Sequence, residues 1–224
     1  RVHPVWVPRA ARPAFDQQPI EATALLLAAE AVSLVVRLAA LTALTLFLTF
    51  DLIVFGAFTR LTDSGLGCPD WPGCYGSASP VGARADIAAA QEAMPTGPVT
   101  HGKAWVEMIH RYLATGVGVL IIVLTVATWL QWRRARADST VSPPVMSPWW
   151  PTFTLVWVCL QGAFGALTVT MKLFPAIVTL HLLAGLALLG LLQVQALRYG
   201  NRLAVPMTPA LRAFLLLSFF LLVC

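Results

Sequence analysis

Between Leu38 and Tyr199 the chain returns four times to an apolar run long enough to cross a bilayer, and no other feature constrains its fold as strongly. The runs are Leu38 to Phe58, Trp105 to Trp132, Trp149 to Met171 and Ala176 to Tyr199. Each reaches the roughly 20 residues that a helix needs to span about 30 Å of hydrocarbon. In hydrocarbon the backbone must satisfy its own polar groups, so single runs of this length are helical. With 58% hydrophobic and 11% charged residues and a mean hydropathy of +0.76, the chain cannot be a water-soluble domain. The expected fold is an all-α membrane protein, a four-helix transmembrane bundle made of two pseudo-repeated helical hairpins plus the start of a fifth span. That fifth run begins near Leu211 and stops at Cys224, and the first residue is Arg1. Both ends therefore predict a piece of a longer chain.

A formal charge of +5 would fit a nucleic-acid partner, but the placement of the basic residues excludes one. Arg1, Arg9, Arg12 and Arg37 precede the first span, Arg133, Arg134 and Arg136 follow the second, and Arg198, Arg202 and Arg212 follow the fourth. Under the positive-inside rule these segments are cytoplasmic, including the N-terminus, while the loop 59–104 and the turn Lys172 to Pro175 face outside. The chain divides into a cytoplasmic tail at 1–37, a four-span unit at 38–202, and a linker with the truncated fifth span at 203–224. Pro4, Pro8, Pro13 and Pro19 predict an unstructured start over 1–19. Ile20 to Val36 reads either as an interfacial helix or as an extension of the first span.

The outer loop holds the densest turn chemistry, Asp63-Ser64-Gly65-Leu66-Gly67-Cys68-Pro69-Asp70-Trp71-Pro72-Gly73-Cys74. On an oxidising face, Cys68 and Cys74 suit a small disulfide-closed loop, acting as a structural clip or as a redox-active pair. Zinc would need two further ligands, and Cys159 and Cys224 lie within spans. Asp86 to Met94 reads as a short surface helix, and His101 as solvent-exposed. Asp51, deep in the first span, is expected either to bond to a neighbouring helix or to belong to a site. Gly116 and Gly118 would permit close approach of a helix or a flat ligand.

Ionisable residues near the outer ends of the spans carry the chemistry. Glu107 and His110 are three residues apart and so share one helix face, and His181 opens the fourth span. If the spans begin at Trp105 and Ala176, each histidine lies five residues in, roughly 7.5 Å down its helix. Spans two and four run in the same direction, so two imidazoles at equal depth can face each other across a bundle. That geometry suits axial ligation of one haem iron. Arg60, Lys103, Arg111 and Lys172 stand where they would meet carboxylates such as haem propionates. Gly56-Ala57-Phe58-Thr59-Arg60-Leu61-Thr62 and Gly162-Ala163-Phe164-Gly165-Ala166-Leu167-Thr168 match at five of seven positions, and each precedes an outer connection and a histidine-bearing helix. The match points to two copies of one hairpin related by an axis along the membrane normal. Glu107 adds a titratable group beside the iron site. No histidine lies in the inner half of a span, where a chain that carries electrons across the membrane would need a second haem.

The loop from Thr59 to Cys74, the segment Glu107-Met108-Ile109-His110-Arg111, and Gln161 to Gly185 with Thr179-Leu180-His181-Leu182-Leu183-Ala184-Gly185 together resemble haem A synthase, in its N-terminal half, over roughly Leu38 to Arg202. The resemblance implies an inner-membrane enzyme of eight spans in two four-helix halves. Such an enzyme oxidises the methyl at position 8 of haem O to a formyl group, making haem A for cytochrome oxidase. By the same resemblance His110 and His181 bind the iron of the substrate haem O and Glu107 is the catalytic carboxylate, with Cys68 and Cys74 the outer-loop pair; the placing of Arg60, Arg111 and Lys172 at the haem periphery rests on their position alone. A haem b belongs to a second half that this chain does not reach, so the segment alone is expected to be inactive. Haem O synthase is an expected partner beside membrane lipid, and so is a second copy of the chain. The competing expectations are a non-catalytic bis-histidine b-type haem protein or carrier, and a scaffold whose polar groups are structural.

Overall fold

The computed structural model describes residues 11–138, 141 and 144–202. The expectations for residues 1–10 and for the linker and fifth span at 203–224 lie outside them. Five helices follow one another, α1 Ala11–Leu61, α2 Arg84–Ala93, α3 His101–Ala137, α4 Trp149–Thr170 and α5 Pro175–Arg202. Four of them contain windows long and apolar enough to cross a membrane, Ala29–Leu61, His101–Ala137, Trp149–Thr170 and Pro175–Gly200. The chain is a multi-pass membrane protein.

Two elements begin earlier than the apolar runs predict. Residues 11–19, expected to be unstructured, belong to α1. The Ala- and Leu-rich stretch from Ala22 to Ala31 propagates helix cooperatively into them, and Pro13 falls near the start of the helix, where no N–H partner is lost. Ile20 to Val36 is thus an extension of the first span. The helix α3 starts at His101 rather than Trp105, because Thr100 caps it by accepting the Lys103 N–H at 3.2 Å.

Around the bundle α1 packs closely on α3 and α5, and α4 on the same two, whereas the backbones of α1 and α4, and those of α3 and α5, stay further apart. The arrangement is a square with the histidine-bearing helices α3 and α5 on one diagonal. Sides of about 8–10 Å put their axes roughly 11–14 Å apart.

Its interior is layered. Next to the histidines lies an apolar layer of Val117, Ile121, Leu188 and Leu192, packed by Leu52, Leu155, Trp157 and others. Beyond it every spanning helix turns a polar side chain inward, with Thr42, Thr45, Thr49, Thr125, Thr128, Gln131, Thr154 and Gln195 all at most 5% exposed. Most threonine hydroxyls there bond back to the carbonyl four residues earlier, as Thr49 does to Thr45 at 2.7 Å. Others tie helices together: Thr125 Oγ1 reaches Pro151 O at 3.1 Å, and Gln195 Nε2 donates to Thr42 Oγ1 at 3.2 Å. Leu38, Leu124, Met146 and Tyr199 close the arginine-rich end.

The Gln195 Oε1 atom is buried without a partner. An unmet buried acceptor costs about 1–3 kcal/mol. An interhelical hydrogen bond in a membrane contributes only about 0.6 kcal/mol. The penalty outweighs the bond, so Gln195→Met, which keeps the volume, is expected to leave thermal stability in detergent unchanged or raised. A clear drop in melting temperature would show that Oε1 is satisfied by water.

Asp51 does not bond to a neighbouring helix. It lies nine positions from Thr42, a rotation of about 180° at 3.6 residues per turn, so it points away from the interior. It makes no hydrogen bond or ion pair among the described residues. Gly116 and Gly118 have no neighbour that an added Cβ would touch, and the close approaches occur at other glycines.

Candidate functional site

The outer loop folds onto the first turns of α3 around a small core of Cys68, Cys74, Ala83, Ile87, Ala104 and Met108, with Tyr75 and Val99 against it. Cys68 and Cys74 form the expected disulfide. Both are fully buried, which withholds them from attacking thiols and fits a clip. The Asp70 carboxylate accepts the Tyr75 and Gly76 N–H groups at 2.6 and 2.7 Å, closing the turn. The helix α2 lies close to the expected 86–94 segment.

Arg111 and Glu107 hold this loop to α3. Arg111 Nη1 donates to the carbonyls of Asp70 at 2.9 Å, Pro72 at 3.3 Å and Gly73 at 2.5 Å, and Nη2 pairs with Glu107 Oε1. The other carboxylate oxygen, Oε2, accepts the Cys68 N–H at 2.7 Å. The side chains of Arg111 and Glu107 are 13% and 5% exposed, so the pair is a buried one with every charge partnered. Tyr112 Oη adds a bond to Ala78 O at 2.7 Å, and Lys103 pairs with Asp63 at 3.1 Å.

One turn inward from Glu107, the His110 ring lies against Gly56 of α1. A Cβ on Gly56 would stand 3.0 Å from His110 Cε1, tight enough that the ring would have to shift by a few tenths of an ångström. Phe55 stacks on the same imidazole, with centroids 6.2 Å apart and planes 11° from parallel. His181 rests likewise on Gly165 of α4, where a Cβ would stand 3.3 Å from its Cε1. Gln161 Nε2 donates to the His181 carbonyl at 2.8 Å, and Trp157 Nε1 to that of Ala184 at 2.9 Å.

The two rings share a level. A Cβ at Gly185 would be 3.1 Å from Gln161 Nε2 and 3.9 Å from Ile53 Cγ1, so these three residues lie at one height. Three residues outward on α1 is Gly56, beside His110, and four outward on α5 is His181. At about 1.5 Å of rise per residue the two heights differ by roughly 2 Å or less. The two imidazoles therefore stand at about the same height on the diagonal helices α3 and α5. Each has its Nδ1 buried without a hydrogen-bond partner.

This donor set fits a haem and not a bare ion. No cluster of three or more His, Cys, Asp or Glu that could hold a metal ion occurs among the described residues. Two opposed imidazoles complete the coordination of an iron that already has four ring nitrogens. The apolar layer beneath separates the two histidines from the polar half of the bundle.

A family model described as cytochrome oxidase assembly protein, COX15-CtaA, matches residues 39–224. The chain belongs to the COX15-CtaA family. A protein named heme A synthase from Shewanella oneidensis is 40% identical over 159 residues, covering 71% of this chain and 44% of that protein. A heme A synthase from Lysinibacillus sphaericus is 32% identical over 142 residues, covering 63% of this chain and 38% of its own length. The chain thus spans less than half the length of these curated relatives. No solved structure matches it.

Among the residues expected at the site of this COX15-CtaA chain, the structure brings His110 and His181 together and sets Glu107 and Arg111 one turn outward. Arg60, in the last turn of α1, and Lys172, in the turn after α4, are exposed. His101 is half-buried at the first residue of α3. Phe55, which packs on His110, carries no signal that sequence reading singled out, and Gln161, which bonds to the His181 carbonyl, entered it only as the start of the segment 161–185. The pseudo-repeat holds only in part. Gly56 and Gly162 correspond in the matched segments, yet His181 rests on Gly165, one turn further along.

Proposed function

We propose that this chain is the haem O-binding part of a haem A synthase, the enzyme that oxidises the methyl at position 8 of haem O to a formyl group. The observation that carries the reading is the pair of level imidazoles, His110 and His181, on diagonal helices with a glycine cleared beside each ring. His110 and His181 hold the substrate iron through imidazole nitrogen. Bound in this way, the haem supplies the redox chemistry, while the protein supplies orientation and exclusion of water. Arg60 and Lys172 meet the propionates at the outer end. Glu107, held in one orientation by Arg111 and the Cys68 N–H, handles a proton beside the site. Arg111 is committed to that carboxylate and to the loop carbonyls, so it acts by positioning. The membrane in this reading is the cell's inner membrane with the N-terminus cytoplasmic, an orientation that the arginine distribution supports.

The test expresses the full-length protein with a haem O source and extracts the haem. Haem A or a hydroxylated intermediate supports the enzyme, and unchanged haem makes it a carrier. Glu107→Gln separates the same two readings from the other side, since the enzyme should keep its haem and lose product.

The glycine cradles give an independent check. Gly56→Val or Gly165→Val pushes a ring off its place, and a misplaced ligand weakens metal-centre affinity by about 10–100-fold. Haem retention measured by absorbance after purification should fall in that range for both variants. Retention equal to wild type in either would remove the ring beside it from the site.

A further inference from the structure

The bundle end opposite the histidines carries a second organised cluster. Trp129 meets Trp132 and Trp149 edge to face, with centroids 5.2 and 5.4 Å apart and planes at 79°. Trp129 Nε1 is fixed by Thr152 Oγ1 at 2.9 Å, and Trp150 Nε1 by the Leu191 carbonyl at 3.3 Å. On this fixed surface lie two guanidinium groups, Arg136 at 4.0 Å over Trp132 and Arg198 at 4.5 Å over Trp150. Trp149 and Trp150 are consecutive on α4, so the two stacks flank one helix on its α3 and α5 sides.

Arginines at this end of a membrane bundle are expected from topology alone, but those would be mobile and solvated. Here the indole faces hold Arg136 and Arg198 in place through cation–π contact. Stacking engages the flat face of a guanidinium and leaves its N–H edge for an acceptor in the plane, the geometry that phosphate oxygens fill. Arg133, Arg134, Arg136 and Arg198 are all exposed and form no ion pair among the described residues. Asp138, which caps α3 and is engaged in an interaction of its own, is the carboxylate closest to them in sequence. The tryptophans mark the level where a bilayer gives way to its headgroups. The surface therefore meets a plane of phosphates, carries positive charge, and holds its two central donors pre-organised.

We propose that Arg136 on Trp132 and Arg198 on Trp150 form a binding site for the phosphate headgroup of an anionic phospholipid in the leaflet at this end of the bundle. The proposal is independent of the haem reading. Arg133 and Arg134 add field without contacts of their own to ring or partner.

Native mass spectrometry of the purified chain, given phosphatidylglycerol or phosphatidylcholine in detergent, tests the site. Each anchored cation near a headgroup strengthens attraction enough that phosphatidylglycerol should be retained about tenfold over phosphatidylcholine. R136Q/R198Q should abolish that preference, whereas R133Q/R134Q, which removes the same charge from unstacked positions, should keep most of it. R136K/R198K, which keeps charge but loses the planar fork, should fall between them, and it reads out even if the glutamine pair fails to fold. Equal retention of the two lipids overturns the proposal. So does an R133Q/R134Q variant as damaged as R136Q/R198Q, or a lysine pair indistinguishable from wild type, since either would mean diffuse charge without a site.

Discussion

Replacing Glu107 with Ala is expected to release the outer loop from α3 and to speed amide exchange at Cys68, Tyr75 and Gly76 by about 10²–10⁴-fold. Removing the carboxylate leaves the Arg111 guanidinium, only 13% exposed, without its counter-charge and the Cys68 N–H without its acceptor. Breaking a buried pair from one side costs on the order of 3–5 kcal/mol, because the remaining charge stays desolvated. That free energy corresponds to roughly two to four decades in the local opening equilibrium that exchange reports. Arg111→Met should act in the same direction and should also free the carbonyls of Asp70, Pro72 and Gly73. The double variant should be less damaged than the sum of the two, since no uncompensated charge remains. Strict additivity, or exchange at the wild-type rate in Glu107→Ala, would mean that the loop is held by the disulfide and its apolar core alone. The outcome bears on function too, because a loop variant and a variant in proton handling both lose activity, and only the first changes exchange.

The spans were legible because bilayer thickness imposes a length on any apolar helix, and four runs met it. Positive charge at their ends fixed the relative directions, and through those the expectation that His110 and His181 lie on parallel helices. Their equal depth was legible only loosely. Counted from the start of each helix they differ, since α3 begins at His101 and α5 at Pro175, and the match appears through Gly56, Ile53 and Gly185 instead. That correspondence depends on which residues of α1 and α4 face the rings, which periodicity cannot fix when every face of a helix is apolar. Asp51 shows the same limit. Its depth is readable from sequence, but the side of α1 it occupies is decided by the buried stripe of Thr42, Thr45 and Thr49. The bonds from Glu107 to the Cys68 N–H and from Arg111 to Asp70, Pro72 and Gly73 join residues about 40 apart, and no local pattern encodes them.

Replacing either histidine with Ala should cost the protein its haem, and the two losses should be unlike in kind from those at any other polar residue of the bundle. Each ring fills a place cleared by glycine, and each buried Nδ1 lacks a hydrogen bond, so neither imidazole is held by the protein as a structural polar group would be. A histidine that merely joined helices would have a partner on at least one nitrogen, as Gln195 has in Thr42. Loss of one of two axial ligands should exceed the about 10–100-fold penalty typical of disturbing a ligand's support. Thermal stability of the haem-free chain should hardly change, because the removed ring gives up no hydrogen bond. His110→Ala should therefore bind at least about 100-fold more weakly, convert any residual haem from a low-spin to a high-spin spectrum, and melt near wild type when haem is absent. His181→Ala should match it in each respect, since the rings stand level on equivalent corners of the square. A variant that keeps low-spin haem would assign the iron to other ligands, and one that unfolds without haem would make the histidine a structural residue of the bundle.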